Sequence, residues 1–334
     1  MLKIHFSADD LLRTRVAPGA DPFWELVLSV HLLRLHSHDP LTAGWRRKVT
    51  RDLHQQVDRD QLRLLFALNP SRGYFPDFLT PQQSAQGPEA GLEAIRSTPV
   101  PRLRRDLAVL AEEHTLPGCA SGLARGETAV LRRLTESMEQ YRTLALTPYW
   151  PRIQAAVEAD RTRRARALLD GGVEGLLSSL RPHARWEAGV LEVDGYPDSR
   201  ELHLDGRGLL LVPSFFCART PVALLDPALP QVLVYPVDRL GGLGPPQGDG
   251  GGRAGPAGRE ALAALLGRTR AAVLEAADGG CTTGEVARRL GISPAAASQH
   301  ATVLRGAGLL VSRRERNRVL HTLTPLGRAV LDAA

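Results

Sequence analysis

The residues best placed by type and spacing to do chemistry lie in the stretch PAAASQHATVLR, from Pro294 to Arg305. Read as a helix, Ala295, Ser298, Gln299 and Thr302 recur at the spacing of one face, while Ala297, Ala301 and Leu304 recur on another. The second set is apolar and reads as a buried stripe. The first is small and hydrogen-bonding. Such a helix can enter a DNA major groove, because small residues allow close approach and Ser and Gln can bond to base edges. Arg305 closes the helix and joins the set as a cation. A solvated helix face is the ordinary alternative, and the flanking elements decide between the two.

Those elements are legible. Ser293 is a good N-cap and Pro294 suits the first helical position. Upstream, Thr282 and Glu285 have capping-box spacing, so a helix starts there, buries Val286, Ala287 and Leu290, and stops at Gly291. Before it, Arg259–Leu266 and Arg268–Ala277 read as helices, and Gly279-Gly280 breaks the pattern. Downstream, Leu309–Arg314 and Arg318–Leu323 read as two strands around Glu315-Arg316-Asn317, with Asn317 suited to a left-handed turn. The hairpin tip carries Arg313, Arg314, Arg316 and Arg318. Thr324-Pro325 then caps a last helix. A helix-turn-helix followed by an arginine-tipped hairpin is the pattern of a winged helix.

In "LLGRTRAAVLEA", "TTGEVARRLGISPAAASQHATVLRGAGLL" and "RRERNRVLHTLTPLG", residues 259–334 resemble the ArsR-type winged-helix repressors. The resemblance implies a homodimer that binds a double-stranded operator and is released by an inducer. It places DNA contacts on Ala295, Ser298 and Gln299 and wing contacts on the Arg313–Arg318 tip. Two positions depart from the family pattern: Ala301 stands where a larger aliphatic is usual, and Asn317 where the wing usually has Gly. Metal-sensing members carry a Cys-x-Cys pair in the helix before the recognition helix. Here that helix reads Glu285-Val286-Ala287-Arg288, and the last helix has no His cluster, so the expected effector is not a metal.

Charge supports a polyanionic partner. Residues 259–334 hold eleven Arg and six acids, whereas the other 258 residues hold 31 basic and 30 acidic ones, so nearly all of the net +6 lies in the last quarter. Only Lys3 and Lys48 are lysines. The chain's preference for Arg therefore makes single arginine pairs weaker evidence than the regional surplus. Residues 241–258, GGLGPPQGDGGGRAGPAG, contain nine Gly and three Pro. They read as a flexible tether spanning about 20–25 Å between a domain over 1–240 and the winged helix over 259–334. The three cysteines, Cys119, Cys217 and Cys281, are too scattered for a disulfide framework or a metal cluster. No apolar run reaches membrane length, and the opening MLKIHFSADD lacks a signal-peptide core, so a cytoplasmic setting without membrane contact is expected.

The first 240 residues read as an α+β domain. Ser7–Asp10 is a capping box that starts a helix through Thr14. Helical patterns fill much of 20–68 and 88–180. Strands are expected at Ala184–Val193, Glu201–Leu204, Gly208–Pro213 and Gln231–Pro236, with turns at Asp194-Gly195 and Asp205-Gly206, giving a small antiparallel sheet. The stretches "FSADDLLRTRVA", "PDFLTP", "TPYWPRIQAAVEADRTRRA" and "GRGLLLVPSFF" resemble a domain that accompanies ArsR-type helices in actinobacterial regulators, one with no known catalytic role.

This region shows no recognisable enzyme signature. His36-Ser37-His38-Asp39 has no third ligand at a recognisable spacing and reads as a polar loop. Glu158 and Asp160 read as surface ion pairs with the arginines that follow. Gly171-Gly172 and Gly206–Gly208 belong to no nucleotide-binding fingerprint. Cys217 reads as a buried thiol. No catalytic residue, metal ligand or cofactor site is assigned. Phe75, Phe78, Tyr149, Trp150, Trp186, Phe215 and Phe216 are candidates either for core or for lining a small-molecule effector pocket. The leading reading is a transcriptional regulator, a dimeric repressor rather than an enzyme. An enzyme with a regulatory DNA-binding tail and a winged-helix protein-interaction module are the alternatives.

Overall fold

The computed structural model describes residues 1–35, 39–71, 73–197, 199–218, 220–239, 243, 256–315 and 318–332. The chain divides into two compact units. One comprises Met1–His38 with Arg46–Asp238, the other Asp39–Trp45 with Arg239–Ala334. Most of the stretch read as a tether, and the His36–His38 triplet, lie outside the described residues. The helix after the tether begins at Pro256, so Pro256–Gly258 are helical rather than linker.

The elements in chain order up to residue 238 are β1 (Leu2–His5), α1 (Ala8–Arg13), β2 (Arg15–Val16), α2 (Pro22–Arg34), α3 (Pro40–Gln56), α4 (Arg59–Leu68), α5 (Pro88–Arg96), α6 (Val100–Glu113), α7 (Ala120–Ala124), α8 (Thr128–Ala145), α9 (Trp150–Ser178), β3 (Arg185–Glu187), β4 (Val190–Val193), β5 (Arg200–His203), β6 (Leu210–Ser214), β7 (Val222–Ala223) and β8 (Val232–Pro236). The Ser7 capping box forms as expected and starts α1. The most buried helix is α2, shielded on nearly every side, which is why its sequence FWELVLSV shows no polar face. Asp21 caps it, accepting from the amides of Phe23 and Trp24. Within α9, Gly171 and Gly172 leave the helical conformation, and φ of +62° at Gly172 is one that glycine adopts readily.

The expectation of one small antiparallel sheet is corrected. Among the described residues this unit has two four-stranded sheets, ordered β3-β4-β1-β5 and β2-β6-β8-β7. Each mixes parallel and antiparallel pairs: β1 runs parallel to β5, and β6 parallel to both β2 and β8. Turn signals reveal hairpins but cannot reveal a strand inserted from elsewhere in the chain. Here β1 sits between β4 and β5, so Asp194-Gly195 does not close a hairpin. Nor does Asp205-Gly206, which leads from one sheet to the other. The stretch read as a single strand, Ala184–Val193, folds back on itself at Ala188-Gly189, both with positive φ, as a two-residue hairpin requires. Leu2, Ile4, Leu191, Val193 and Leu202 from the first sheet join Leu211, Leu233 and Tyr235 from the second and Leu176 and Leu177 of α9 in one core.

Buried carboxylates brace this unit, Glu25 and Asp160 among them. Glu25 of α2 is fully buried and accepts from the Ser214 hydroxyl (3.0 Å) and from the amides of Phe215 (2.8 Å) and Phe216 (3.0 Å). Burial outweighs those donors and pushes its carboxyl up to about 7. Asp160, expected on the surface, is also fully buried. Arg163 and Arg164 pair with it at 2.9 and 3.0 Å, and the Tyr235 hydroxyl donates to it at 2.6 Å, linking α9 to β8. Position on the inward side of α9 decides this, and the charged neighbours in sequence hid it. Glu158 does form the expected surface pair with Arg161.

The second unit continues with α10 (Pro256–Leu266), α11 (Arg268–Ala276), β9 (Cys281–Thr282), α12 (Thr283–Leu290), α13 (Pro294–Gly306), β10 (Leu310–Glu315), β11 (Arg318–Leu323) and α14 (Pro325–Asp332). Its sheet is antiparallel, ordered β10-β11-β9. No helix among the described residues is long and apolar enough to cross a membrane.

Candidate nucleic-acid interface

The local sequence explains how α12 and α13 meet. The Thr282 hydroxyl accepts from the Glu285 amide, and the Glu285 carboxylate accepts from the Thr282 amide at 2.7 Å, completing the capping box. That amide donor lowers the pKa of the Glu285 carboxyl. At the far end Gly291 takes a left-handed conformation, φ +64°, which reverses the chain after α12. Ser293 then caps α13 through the Ala296 amide, with Pro294 in the first turn.

One side of α13 is sealed. Ala297, Ala301 and Leu304 are buried and pack with Val273, Leu274, Val286, Ala287, Leu309 and Leu310. Leu290, expected to be buried, is only partly so. Ala295, Ser298, Gln299, Thr302 and Arg305 are all exposed. The helix thus presents short hydrogen-bonding side chains to solvent along one face, backed by a core that fixes its orientation.

The hairpin is tied to the same helix pair. Residues Leu310–Glu315 pair with Arg318–Leu323, and β9 adds a short third strand. His321 is buried, with Nδ1 2.8 Å from the Ser312 hydroxyl and Nε2 2.9 Å from the Thr283 hydroxyl at the start of α12. Burial, then the nearby Arg305 charge, lowers its pKa from the ordinary 6.5. This link was not foreseen from sequence, because a histidine inside a strand carries no local sign of its partners. Arg313 and Arg314 are exposed on β10, and Arg318 opens β11. Arg316 and Asn317 lie outside the described residues. The Thr324 hydroxyl accepts from the Gly327 amide, capping α14. Cys281 is buried, which pushes its thiol up and away from thiolate chemistry.

In the other unit a cleft of about 1040 Å³ is lined by Trp24, Trp150, Arg13, Arg15, Arg142 and Arg207 among others, with Asp21 the one acid among the described residues. Of the aromatics proposed for a pocket, only Trp150 lines it. Phe75, Phe78, Tyr149, Phe215 and Phe216 are buried, and Trp186 packs edge-on against Phe6. Trp24, which does line it, carried no distinguishing sequence signal. The sequence assigned no metal ligand, yet the sheet brings His5, Glu201 and His203 together.

Residues 265–313 match the family model of a helix-turn-helix domain. Neither a curated protein nor a solved structure matches the chain. The matched span runs from the end of α10 through α12 and α13 into β10. The C-terminal part of this chain is therefore a helix-turn-helix DNA-binding domain.

Proposed function

We propose that this protein is a sequence-specific transcriptional regulator of the ArsR winged-helix type, a dimeric repressor that leaves its operator when the N-terminal unit binds an organic effector. The observation that carries the reading is the solvent-facing row Ala295, Ser298, Gln299 and Thr302 opposite the buried Ala297, Ala301 and Leu304. Ser298 and Gln299 read base edges in the major groove, and Arg305, Arg313, Arg314, Arg316 and Arg318 neutralise phosphates along the helix end and wing.

A single such head covers a half-site, so a two-fold operator calls for two copies. Leu265 on α10 and Leu326 on α14 are exposed apolar residues that a second copy would cover. The cleft lies at the upper end of the range for small-molecule sites, ~300–1,000 Å³. Four arginines and two tryptophans favour an aromatic or acidic organic effector. Among the described residues the buried acids are engaged in structure: Glu25 and Asp160 as described, Asp77 by the amides of Leu225 and Asp226, Asp106 by the amide of Phe78 and Asp10 by the amide of Gly208. This supports a regulator over an enzyme.

Selection of duplexes from a random pool with the full-length protein tests the proposal. An enriched inverted repeat, with a dimer by light scattering, is expected. Failure to enrich any sequence, or a monomer both free and on DNA, contradicts it.

A further inference from the structure

We propose that the N-terminal unit holds a divalent first-row metal ion, of which Zn²⁺ is the working example, between His5, His203 and Glu201. This lies beyond DNA binding and does not depend on it. The site arises from register. In the parallel pair β1/β5, Lys3 is opposite Glu201 and His5 opposite His203. Side chains alternate along a strand, so these four share one face, while Leu2, Ile4 and Leu202 point into the core on the other. Adjacent strands are about 4.8 Å apart, which lets two imidazoles on neighbouring strands reach a single ion with bonds of about 2.1 Å.

The side chains are gathered accordingly. One ligand atom from each of the three residues lies within 4.8 Å of the others. Nε2 of His5 is 3.6 Å from Oε2 of Glu201, and the two imidazoles stack with centroids 4.4 Å apart and planes 10° from parallel. The in-plane lone pairs of two nearly parallel rings do not meet at one point, so the exposed His203 ring turns about its side-chain bonds to share the ion.

A second observation points the same way. The Nε2 of His5 is shielded from solvent and makes no hydrogen bond. Such atoms are rare unless something else satisfies them. The neighbouring charges do not compete for it. Arg185 and Lys3 both turn to Glu192, the latter at 3.8 Å, which leaves Glu201 facing the histidines. Two imidazoles and a carboxylate form a borderline donor set, suited to Zn²⁺, Co²⁺ or Ni²⁺ rather than to Ca²⁺ or Mg²⁺, with the remaining position open to water.

The test uses chelator-stripped full-length protein carrying Cys119→Ser, which removes the exposed thiol. Zn²⁺ is titrated by equilibrium dialysis and Co²⁺ by its visible absorption, each with and without His203→Ala or Glu201→Gln. His203 and Glu201 are exposed, so both variants should keep the metal-free melting temperature. The expected result is one Zn²⁺ per chain at micromolar concentration, weakened at least about tenfold by either substitution. Zn²⁺ should raise the melting temperature of the parent and not of the His203→Ala protein. Equal Zn²⁺ affinity in parent and His203→Ala, or no binding below millimolar Zn²⁺, overturns the assignment and leaves an exposed histidine stack.

Discussion

Thr283 at the start of α12 and His321 in β11 meet through a 2.9 Å contact between the Thr283 hydroxyl and Nε2 of the ring, while the Ser312 hydroxyl holds Nδ1 at 2.8 Å. The hairpin and the helix-turn-helix therefore share one buried imidazole. The two hydroxyls can each donate or accept, so they would satisfy either charge state. Burial and the Arg305 charge decide in favour of the neutral ring. A histidine whose folded pKa is lowered contributes full stability above its ordinary value of 6.5 and loses it as pH falls below that value toward the folded one. Ring NMR of the full-length protein, assigned with His321→Gln, should place the His321 midpoint below 6.5. Arg305→Ala should move it upward. A midpoint at or above 6.5 contradicts the description.

Glu25 gives the opposite sign in the N-terminal unit. Its carboxyl is raised from 4.5 to about 7, so its contribution is complete below 4.5 and declines as pH rises through about 7. Glu25→Ala leaves the Phe215 and Phe216 amides unpaired and should cost about 2–5 kcal/mol. Urea denaturation followed by tryptophan fluorescence reads this, because Trp24, Trp150 and Trp186, three of the four tryptophans, lie in the same unit as Glu25. A cost under ~1 kcal/mol would mean that water replaces the carboxylate.

Much of the C-terminal unit was legible in the sequence because its signals are local. The Thr282–Glu285 box, Gly291, Ser293-Pro294 and the apolar stripe of α13 each sit within a turn or two of the structure they specify. The N-terminal unit is specified by distant pairings. The register of Leu2–His5 against Arg200–His203, the burial of Asp160 beneath Tyr235, and the meeting of His5 with His203 all depend on residues separated by 75 positions or more. Nothing in a local window reports them.

Two glycines separate close packing from mere helix propensity. A Cβ at Gly327 would overlap the Leu309 carbonyl oxygen, whereas one at Gly284 would meet nothing within 4 Å. Gly327→Ala should destabilise the C-terminal unit by about 1–3 kcal/mol as α14 is pushed away from the Leu309 backbone. Gly284→Ala, in α12, should stabilise it by up to about 1 kcal/mol. Calorimetry of the two variants should show transitions shifted in opposite directions. Equal shifts would contradict the packing.

Arsenite should not release the protein from DNA. Trivalent arsenic needs thiolates, and here Cys119 is exposed while Cys217 and Cys281 are buried, with the Cys281 pKa raised. Titration of arsenite into a preformed complex is expected to leave anisotropy unchanged. Release at low micromolar arsenite would show that these thiols come together on DNA.

If α13 lies in the major groove, its exposed face reads base edges while the wing supplies charge. The most direct measurement is fluorescence anisotropy on the selected duplex and a scrambled one, across a salt series. Gln299→Ala should weaken the selected duplex by about 1–3 kcal/mol and leave the scrambled one nearly unchanged. Arg314→Ala should weaken both and reduce the salt slope by about one unit. If Gln299→Ala weakens both duplexes equally, or neither variant changes binding, α13 does not lie in the groove.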